Sequence, residues 1–230
     1  MKTSMTAVIA FLLFTAGFLG QRAPDIESLR KDMFAILTGD MERFERGMTT
    51  LEGLLANSPN DPGLRVLWGS GLFARSGDSF SKGDIAGAMK FWQSGLAEMA
   101  KAVEMAPDNP FVRGRRGVIL INASRQAPPE MAAPLLAAAV SDFEKVLQIR
   151  EAENSFSSNS THKRGELLLS LGDGWSRMGD RNKARGYFER ITRELQGTTY
   201  EEKAKVWLDD KPEGNPLVIS RAPAAMSNSV

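Results

Sequence analysis

The stretch that decides the fold is HKRGELLLSLGDGWSRMGDRNKARGYFERITREL, residues 162–195. Its apolar residues recur three and four positions apart, the spacing that places side chains on one face of an α-helix. Between the two apolar runs, Gly179 predicts a left-handed helix end and Asp180 predicts the cap of the next helix. The stretch therefore predicts a helix hairpin. Its apolar positions are Leu167, Leu168, Leu171, Trp175 and Met178 in the first helix, and Ala184, Tyr187, Phe188, Ile191 and Leu195 in the second.

A small residue interrupts the apolar face of each predicted helix, Gly172 in the first and Ala184 in the second. Glycine in a helix interior costs about 1 kcal/mol relative to alanine, so its presence indicates that another helix backbone passes close by. We therefore expect a close crossing in which these two small residues lie opposite each other, with large side chains on either side.

The hairpin resembles a tetratricopeptide repeat, a helix–turn–helix unit of about 34 residues. Arg181 stands where that family has an aromatic residue, and Gln196-Gly197 replaces the family's closing proline. The resemblance covers 34 of the 230 residues. The segments PDNP and RG after Ala106 are also similar to those of exported bacterial proteins of this type. The positions that match the repeat are Leu168, Leu171, Gly172, Trp175, Gly179, Ala184, Phe188 and Ile191.

An internal repeat lies upstream of the hairpin. SPNDPGLRVLWGSGLFARSG, from Ser58, aligns without a gap with APDNPFVRGRRGVILINASR, from Ala106. A fixed offset through a whole segment indicates stacked repeats. The offset exceeds the family's usual period, so we predict lengthened helices or turns, including a long turn over residues 78–83. The aligned pairs are Pro59 with Pro107, Pro62 with Pro110, Arg65 with Arg113, Gly69 with Gly117 and Leu72 with Leu120.

These patterns predict an all-α protein, and the resemblance implies a right-handed solenoid of about four helix pairs plus a closing helix over residues 24–210. Thr199 is the predicted cap of the closing helix, whose apolar residues include Tyr200 and Trp207. The serine-rich segment Asn154–Thr161 is the best linker candidate. Residues 211–230 have no periodicity and are predicted to form a disordered tail.

The first twenty residues differ in composition from the rest. Lys2 precedes an uncharged, mostly apolar run from Thr6 to Leu19, which predicts a signal peptide over residues 1–20. An uncleaved membrane anchor and a buried N-terminal helix are the alternatives. We therefore expect an exported protein of the periplasm or cell envelope, with no stable membrane span after cleavage.

The composition and the net charge of the chain limit the ligands and catalytic groups that it can supply. A net charge of +1 argues against a dedicated nucleic-acid binder. The chain has no cysteine, which excludes disulfides, thiolate catalysis and cysteine metal sites. His162 is the single histidine, and with Glu166 it supplies fewer ligands than a metal site requires. We therefore expect no enzyme activity, no catalytic residue, no metal and no cofactor.

Four arginines cluster between residues 113 and 125: Arg113, Arg115, Arg116 and Arg125. Such a cluster predicts either a contact with an acidic partner or a phosphate, or a solvated face with salt bridges between helices. Both interpretations follow from the residues alone.

In tetratricopeptide repeats the first helices of successive pairs line a concave groove. The resemblance implies that this groove includes Ser70, Phe73, Val118, Ile121, Asn122, Asp173, Ser176 and Arg177. A subset of the family clamps peptide carboxylates with Lys and Asn. This chain departs from that subset, since the matching positions carry Gly63, Val66, Phe111, Gly114, Glu166 and Leu169.

The functional hypothesis from the sequence is a scaffold in the cell envelope that binds a peptide or partner protein in its groove. A small-ligand carrier is the alternative, with Trp68 and Trp92 lining a pocket between lengthened helix pairs. The candidate partner-binding residues are Ser70, Phe73, Arg113, Arg116, Ile121, Asn122, Asp173 and Arg177.

Overall fold

A computed structural model describes Leu29, residues 31–33 and residues 35–210. Within these ranges the chain contains helices and no strand, so the all-α prediction is confirmed. The predicted signal peptide and the predicted tail lie outside the described residues. A 3₁₀-helix, Ala35–Thr38, precedes α1 (Met41–Asn57), α2 (Pro62–Ser81), α3 (Ile85–Met105), α4 (Pro110–Gln126), α5 (Pro129–Ala152), α6 (Thr161–Arg177), α7 (Arg181–Glu194) and α8 (Thr199–Asp209).

Short polar side chains fix where most of these helices begin. Each accepts a hydrogen bond from a backbone N–H of the first turn, which would otherwise lack a partner. The predicted stop and start between α6 and α7 is confirmed, because Gly179 has a φ of +89° and Asp180 accepts from the backbone N–H of Lys183. The capping residues with this contact include Asp40, Asp61, Asp84, Asn109, Asp180 and Thr198.

Two boundary predictions are wrong. The predicted long turn over residues 78–83 is mostly helical, because α2 continues to Ser81. Lys82 pairs with Asp78 at 2.7 Å, one turn back, which supports this last helical turn. Thr198, rather than Thr199, caps α8, because its backbone is extended and its hydroxyl accepts from the N–H of Glu201.

The described residues divide into two compact units, with the boundary between Lys163 and Arg164. The boundary falls in the first turn of α6, just after the predicted linker Asn154–Thr161. That segment is not wholly solvated, because the side chain of Phe156 is buried.

In the first unit, α2 packs against α1, α3 and α4, and α4 also packs against α3 and α5. Two apolar clusters fill the spaces between these helices. One lies under α1 and includes Phe44 and Met48, which are fully buried. The other joins α2, α3 and α4 through Val66, Met99 and Val112, which are also fully buried.

The internal repeat has the same local structure twice. Helices α2 and α4 both begin with proline, and their caps Asp61 and Asn109 occupy aligned positions. The guanidinium of Arg65 donates to the carbonyl of Pro59, and that of Arg113 donates to the carbonyl of Pro107. The aligned positions therefore build equivalent helix starts.

In each repeat the first helix crosses the second helix at a glycine, but the two crossings are packed differently. A Cβ on Gly69 would lie 2.8 Å from the carbonyl oxygen of Gly95, and a Cβ on Gly95 would lie 2.8 Å from that of Gly69. In the next pair, a Cβ on Gly117 would lie 2.9 Å from the ring of Phe143. Backbone meets backbone in the first crossing, whereas an aromatic ring covers the glycine in the second.

In the second unit the predicted apolar faces of α6 and α7 meet, and Leu168, Leu171, Ala184, Phe188 and Ile191 are fully buried. Helix α8 closes this unit by stacking Trp207 on Phe188 at 4.4 Å between ring centroids.

Two expectations for this hairpin are corrected. Met178 is 43% exposed because it follows the last residue of α6. The atoms nearest to a Cβ on Gly172 would belong to the Phe188 ring, whose tip would lie 2.7 Å away, rather than to the backbone expected there. The ring occupies the space that the missing side chain leaves.

Candidate functional site

The site with the best support from the described residues is a face shared by α2 and α4, here called the α2–α4 face. It is defined by Ser70 and Gly77 on α2 and by Arg115, Asn122 and Arg125 on α4. Within each helix these positions are spaced by one or two turns, so they share a side. The Nε of Arg115 donates to the hydroxyl of Ser70 at 3.1 Å, which joins the two helices.

The basic cluster divides into two parts. Arg113 and Arg116 point to α5, where both bind Asp142, a fully buried carboxylate. The contacts are 2.8 Å from Arg113 Nη1 and 2.6 and 2.9 Å from Arg116 Nε and Nη2. These two arginines thus serve as a clamp between α4 and α5, the salt-bridge interpretation of the cluster.

Sequence reasoning missed Asp142 although a signal existed. The residue lies among the apolar positions Ala139, Phe143 and Val146 of α5. A carboxylate on a buried helix face requires a cationic partner, since an isolated buried charge is costly. The two arginines are 26 and 29 residues away, a separation that helical periodicity alone does not connect.

Arg115 and Arg125 remain on the α2–α4 face. Burial lowers the pKa of Arg115 to about 10, because the charged guanidinium is partly removed from water. Arg125 is exposed and donates to the side-chain oxygen of Asn122 at 2.7 Å. Asn122 in turn donates to the carbonyl of Val118 at 2.9 Å. The face is therefore polar and positively charged on its α4 side.

Three of the predicted partner-binding residues lie in the interior of the first unit. Ser70 is 4% exposed and donates to the carbonyl of Val66 at 2.7 Å. Ile121 is 3% exposed. The half-buried ring of Phe73 packs against Trp92 of α3, with ring centroids 4.7 Å apart. Of these three residues, only Ser70 takes part in the α2–α4 face, because its hydroxyl accepts a hydrogen bond from Arg115.

The predicted groove residues on α6 belong to the second unit. Asp173 is buried beside Arg177, with a charged contact of 3.7 Å. The hydroxyl of Ser176 accepts a hydrogen bond from the indole of Trp207 at 3.2 Å, so it helps to hold α8. These side chains make contacts inside their own unit.

The His162 and Glu166 pair has a different setting from a metal site. Glu166 accepts a hydrogen bond from the hydroxyl of Tyr200 at 2.8 Å. Burial, together with this bond, raises the pKa of Tyr200. Across the described residues, no group of three or more His, Asp or Glu side chains is arranged to hold a metal ion.

The tryptophans proposed for a ligand pocket contact protein groups. The guanidinium of Arg75 lies 5.8 Å from the centre of the Trp68 ring, and Trp92 packs against Phe73. An open depression of about 530 Å³ lies elsewhere, on α1, and is lined by Glu42, Glu45, Arg46, Thr49 and Thr50.

Comparison of the chain with known protein families, with curated proteins and with solved structures gave no match. No helix in the described part of the chain combines the length and the apolar character that crossing a membrane requires.

Proposed function

We propose that this chain is an exported, tetratricopeptide-like scaffold that binds a partner protein or peptide on the α2–α4 face. The observation that carries the proposal is that the first helices of the two repeat copies pack side by side, with equivalent starts. In the family that the sequence resembles, successive first helices line the binding groove. The right-handed solenoid, the export and the lack of enzyme activity belong to the same proposal.

The chemistry of the face supports a polar partner surface. Asn122 and Arg125 are at least partly exposed, and the hydrogen bond between Arg115 and Ser70 links the two helices. Asparagine and arginine side chains recognise peptide carbonyls and carboxylates through hydrogen bonds. A helix or an extended segment laid across α2 and α4 would meet these groups.

Site-specific photo-crosslinking tests this proposal. A photoreactive residue is placed at Gly77 or Asn122, and the matched control is placed at Lys101, an exposed residue of α3. Each full-length variant is incubated with the envelope fraction of the source organism. We expect the same partner to be crosslinked from Gly77 and Asn122 and not from Lys101. Equal crosslinking from Lys101, or crosslinking from Lys101 alone, would contradict the α2–α4 face as the binding surface.

A further inference from the structure

Arg115 differs from the other arginines of α2 and α4 that reach another helix. Arg65 pairs with Glu98, Arg75 pairs with Glu45, and Arg113 and Arg116 share Asp142. Within the described residues, the guanidinium of Arg115 has the hydroxyl of Ser70 as its hydrogen-bond partner and no carboxylate at ion-pair distance.

The surroundings of Arg115 make this lack of a counter-charge costly. The side chain is half-buried, and burial lowers its pKa. Buried charges in proteins are generally paired, because desolvation disfavours an isolated ion. The same chain follows this rule at Asp142, where two arginines meet one buried carboxylate. A charge left unpaired among the described residues is therefore suited to receive the counter-charge of a ligand.

The geometry of Arg115 leaves its two Nη nitrogens for contact with a carboxylate. The Nε of Arg115 is used by Ser70, whose own hydroxyl hydrogen is directed to the carbonyl of Val66 at 2.7 Å. Neither Nη nitrogen of Arg115 is both fully buried and without a hydrogen-bond partner, so the two Nη nitrogens keep access to the surface. Two Nη groups in one plane are suited to the two oxygens of a carboxylate. Ser70 thus holds the guanidinium while its outer edge remains open.

The repeat supplies an internal comparison. Leu67 occupies in α2 the position that Arg115 has in α4, and it packs against the apolar cluster under α1. In the first repeat, where no charge is needed at this position, an apolar residue therefore occupies it. The arginine is particular to the second repeat, on the helix that carries Asn122 and Arg125.

We propose that Arg115 is an anion subsite of the α2–α4 face, which receives the carboxylate of an acidic side chain from a bound peptide segment. This inference rests on the proposed function, because the peptide is taken to lie on that face. The arginine contacts the ligand directly, and Ser70 is a positioning residue that orients it.

The test observes the Nε–Hε resonances of the full-length, ¹⁵N-labelled chain during titration at constant ionic strength. The probes are an end-blocked alanine–glutamate peptide, its glutamine counterpart, acetate and inorganic phosphate. Arg115→Leu assigns the resonance and installs the residue of the first repeat. Arg46→Leu is the control, since Arg46 is an exposed arginine of α1 that pairs with Glu42. Melting curves of both variants check that they fold.

We expect a saturable shift of the Arg115 resonance with the glutamate peptide and none with the glutamine peptide. Arg115→Leu should weaken binding of the glutamate peptide by about tenfold, as for a charge-assisted hydrogen bond, and Arg46→Leu should leave it unchanged. Equal binding of the two peptides without a shift at Arg115 would overturn the anion subsite while leaving peptide binding intact. A shift with acetate but binding of neither peptide would overturn the assignment of the subsite to the side chain of a bound peptide. A stronger response to phosphate than to the glutamate peptide would overturn the assignment to an acidic side chain.

If Arg115→Leu unfolds the chain, Arg115→Lys provides the second variant. It keeps the charge but removes the planar pair of donors. We then expect weaker binding of the glutamate peptide in a folded protein. Unchanged affinity in that variant would overturn the two-point carboxylate contact.

Discussion

The hairpins α2–α3 and α4–α5 are two copies of one repeat, and comparing them shows which contacts both copies keep and which contacts one copy replaces by another. Both begin with a capped proline turn and an arginine that donates to a carbonyl six residues earlier. Both place glycine, Gly69 or Gly117, at the crossing. These shared features set the helix starts and the approach of the second helix.

At the crossing itself the copies differ by one aligned residue. At the same offset that pairs Pro59 with Pro107, Gly95 of α3 corresponds to Phe143 of α5. Glycine lets the backbones of α2 and α3 touch, whereas phenylalanine fills the same space between α4 and α5. Two packing solutions therefore satisfy one repeat, because the requirement is a filled volume rather than a particular side chain.

The charged residues differ as well. Arg116 of the second copy aligns with Trp68 of the first, and at the same offset Asp142 corresponds to Ser94. The second copy thus contains a buried ion cluster where the first has an aromatic ring and a hydroxyl. This difference leads to the prediction with the largest expected effect.

Asp142→Asn should destabilise the protein by about 3–5 kcal/mol, because it leaves two partly buried guanidinium groups without their counter-charge. The aligned Ser94→Ala should change the free energy of unfolding by less than about 0.5 kcal/mol. Denaturant unfolding of both full-length variants measures the difference. Similar values for the two variants would mean that the ion cluster adds nothing to the second copy.

The two crossings predict different responses to one added methyl group. Gly69→Ala should cost about 1–3 kcal/mol by overpacking, because the new Cβ meets the backbone of α3, which cannot move without separating the helices. Gly117→Ala should cost less, because the Cβ meets a ring that can tilt, and alanine favours the helix by about 1 kcal/mol. Thermal melts provide the measurement. A larger loss for Gly117→Ala would reverse the comparison.

The starts of α2 and α4 should respond alike to the loss of their capping side chains. Asp61→Ala and Asn109→Ala each remove a side chain that accepts two backbone N–H groups of the first turn. We expect each substitution to destabilise the protein by about 1 kcal/mol. Urea unfolding of the two single variants tests the equivalence, which a difference of several-fold would disprove.

The smallest expected effect is a gain. Gly77 lies in α2, is exposed, and has no neighbouring atom within 4 Å of the position that a Cβ would take. Gly77→Ala should therefore stabilise the chain by up to about 1 kcal/mol through helix propensity alone. It is the matched control for Gly69→Ala in the same helix. A loss of stability would show that α2 packs against something at Gly77.

Local patterns predicted most of the helices because capping and periodicity act over a few residues. The turn at Gly179 follows directly from such signals. The extension of α2 to Ser81 was missed because Ser and Lys in residues 78–83 also suit a turn, and the i,i+4 pair of Asp78 and Lys82 decides the outcome. The covering of Gly172 by a ring was missed because sequence shows a small residue but not what fills the space beside it.

The candidate site was predictable only in part. The arginine cluster was visible in the sequence, but its division between Asp142 and the α2–α4 face depends on which side of α4 meets α5. The Arg115 contact with Ser70 spans 45 residues and requires α2 and α4 to be neighbours. The aligned position Leu67 was the available signal, since a charge replacing leucine at one site of a repeat indicates a separate role.

The central claim is that Arg115, Asn122 and Arg125, which the first copy lacks, bind the partner on the α2–α4 face and are not required for the fold. The direct test replaces Arg115, Asn122 and Arg125 by residues like those of the first copy, in the triple variant R115L/N122A/R125A. We predict that the melting temperature of the triple variant stays close to that of the parent chain. With a crosslinker at Gly77 of the triple variant, we predict that capture of the partner, which is crosslinked from Asn122 in the parent chain, is lost. Undiminished capture by a folded triple variant would contradict the claim.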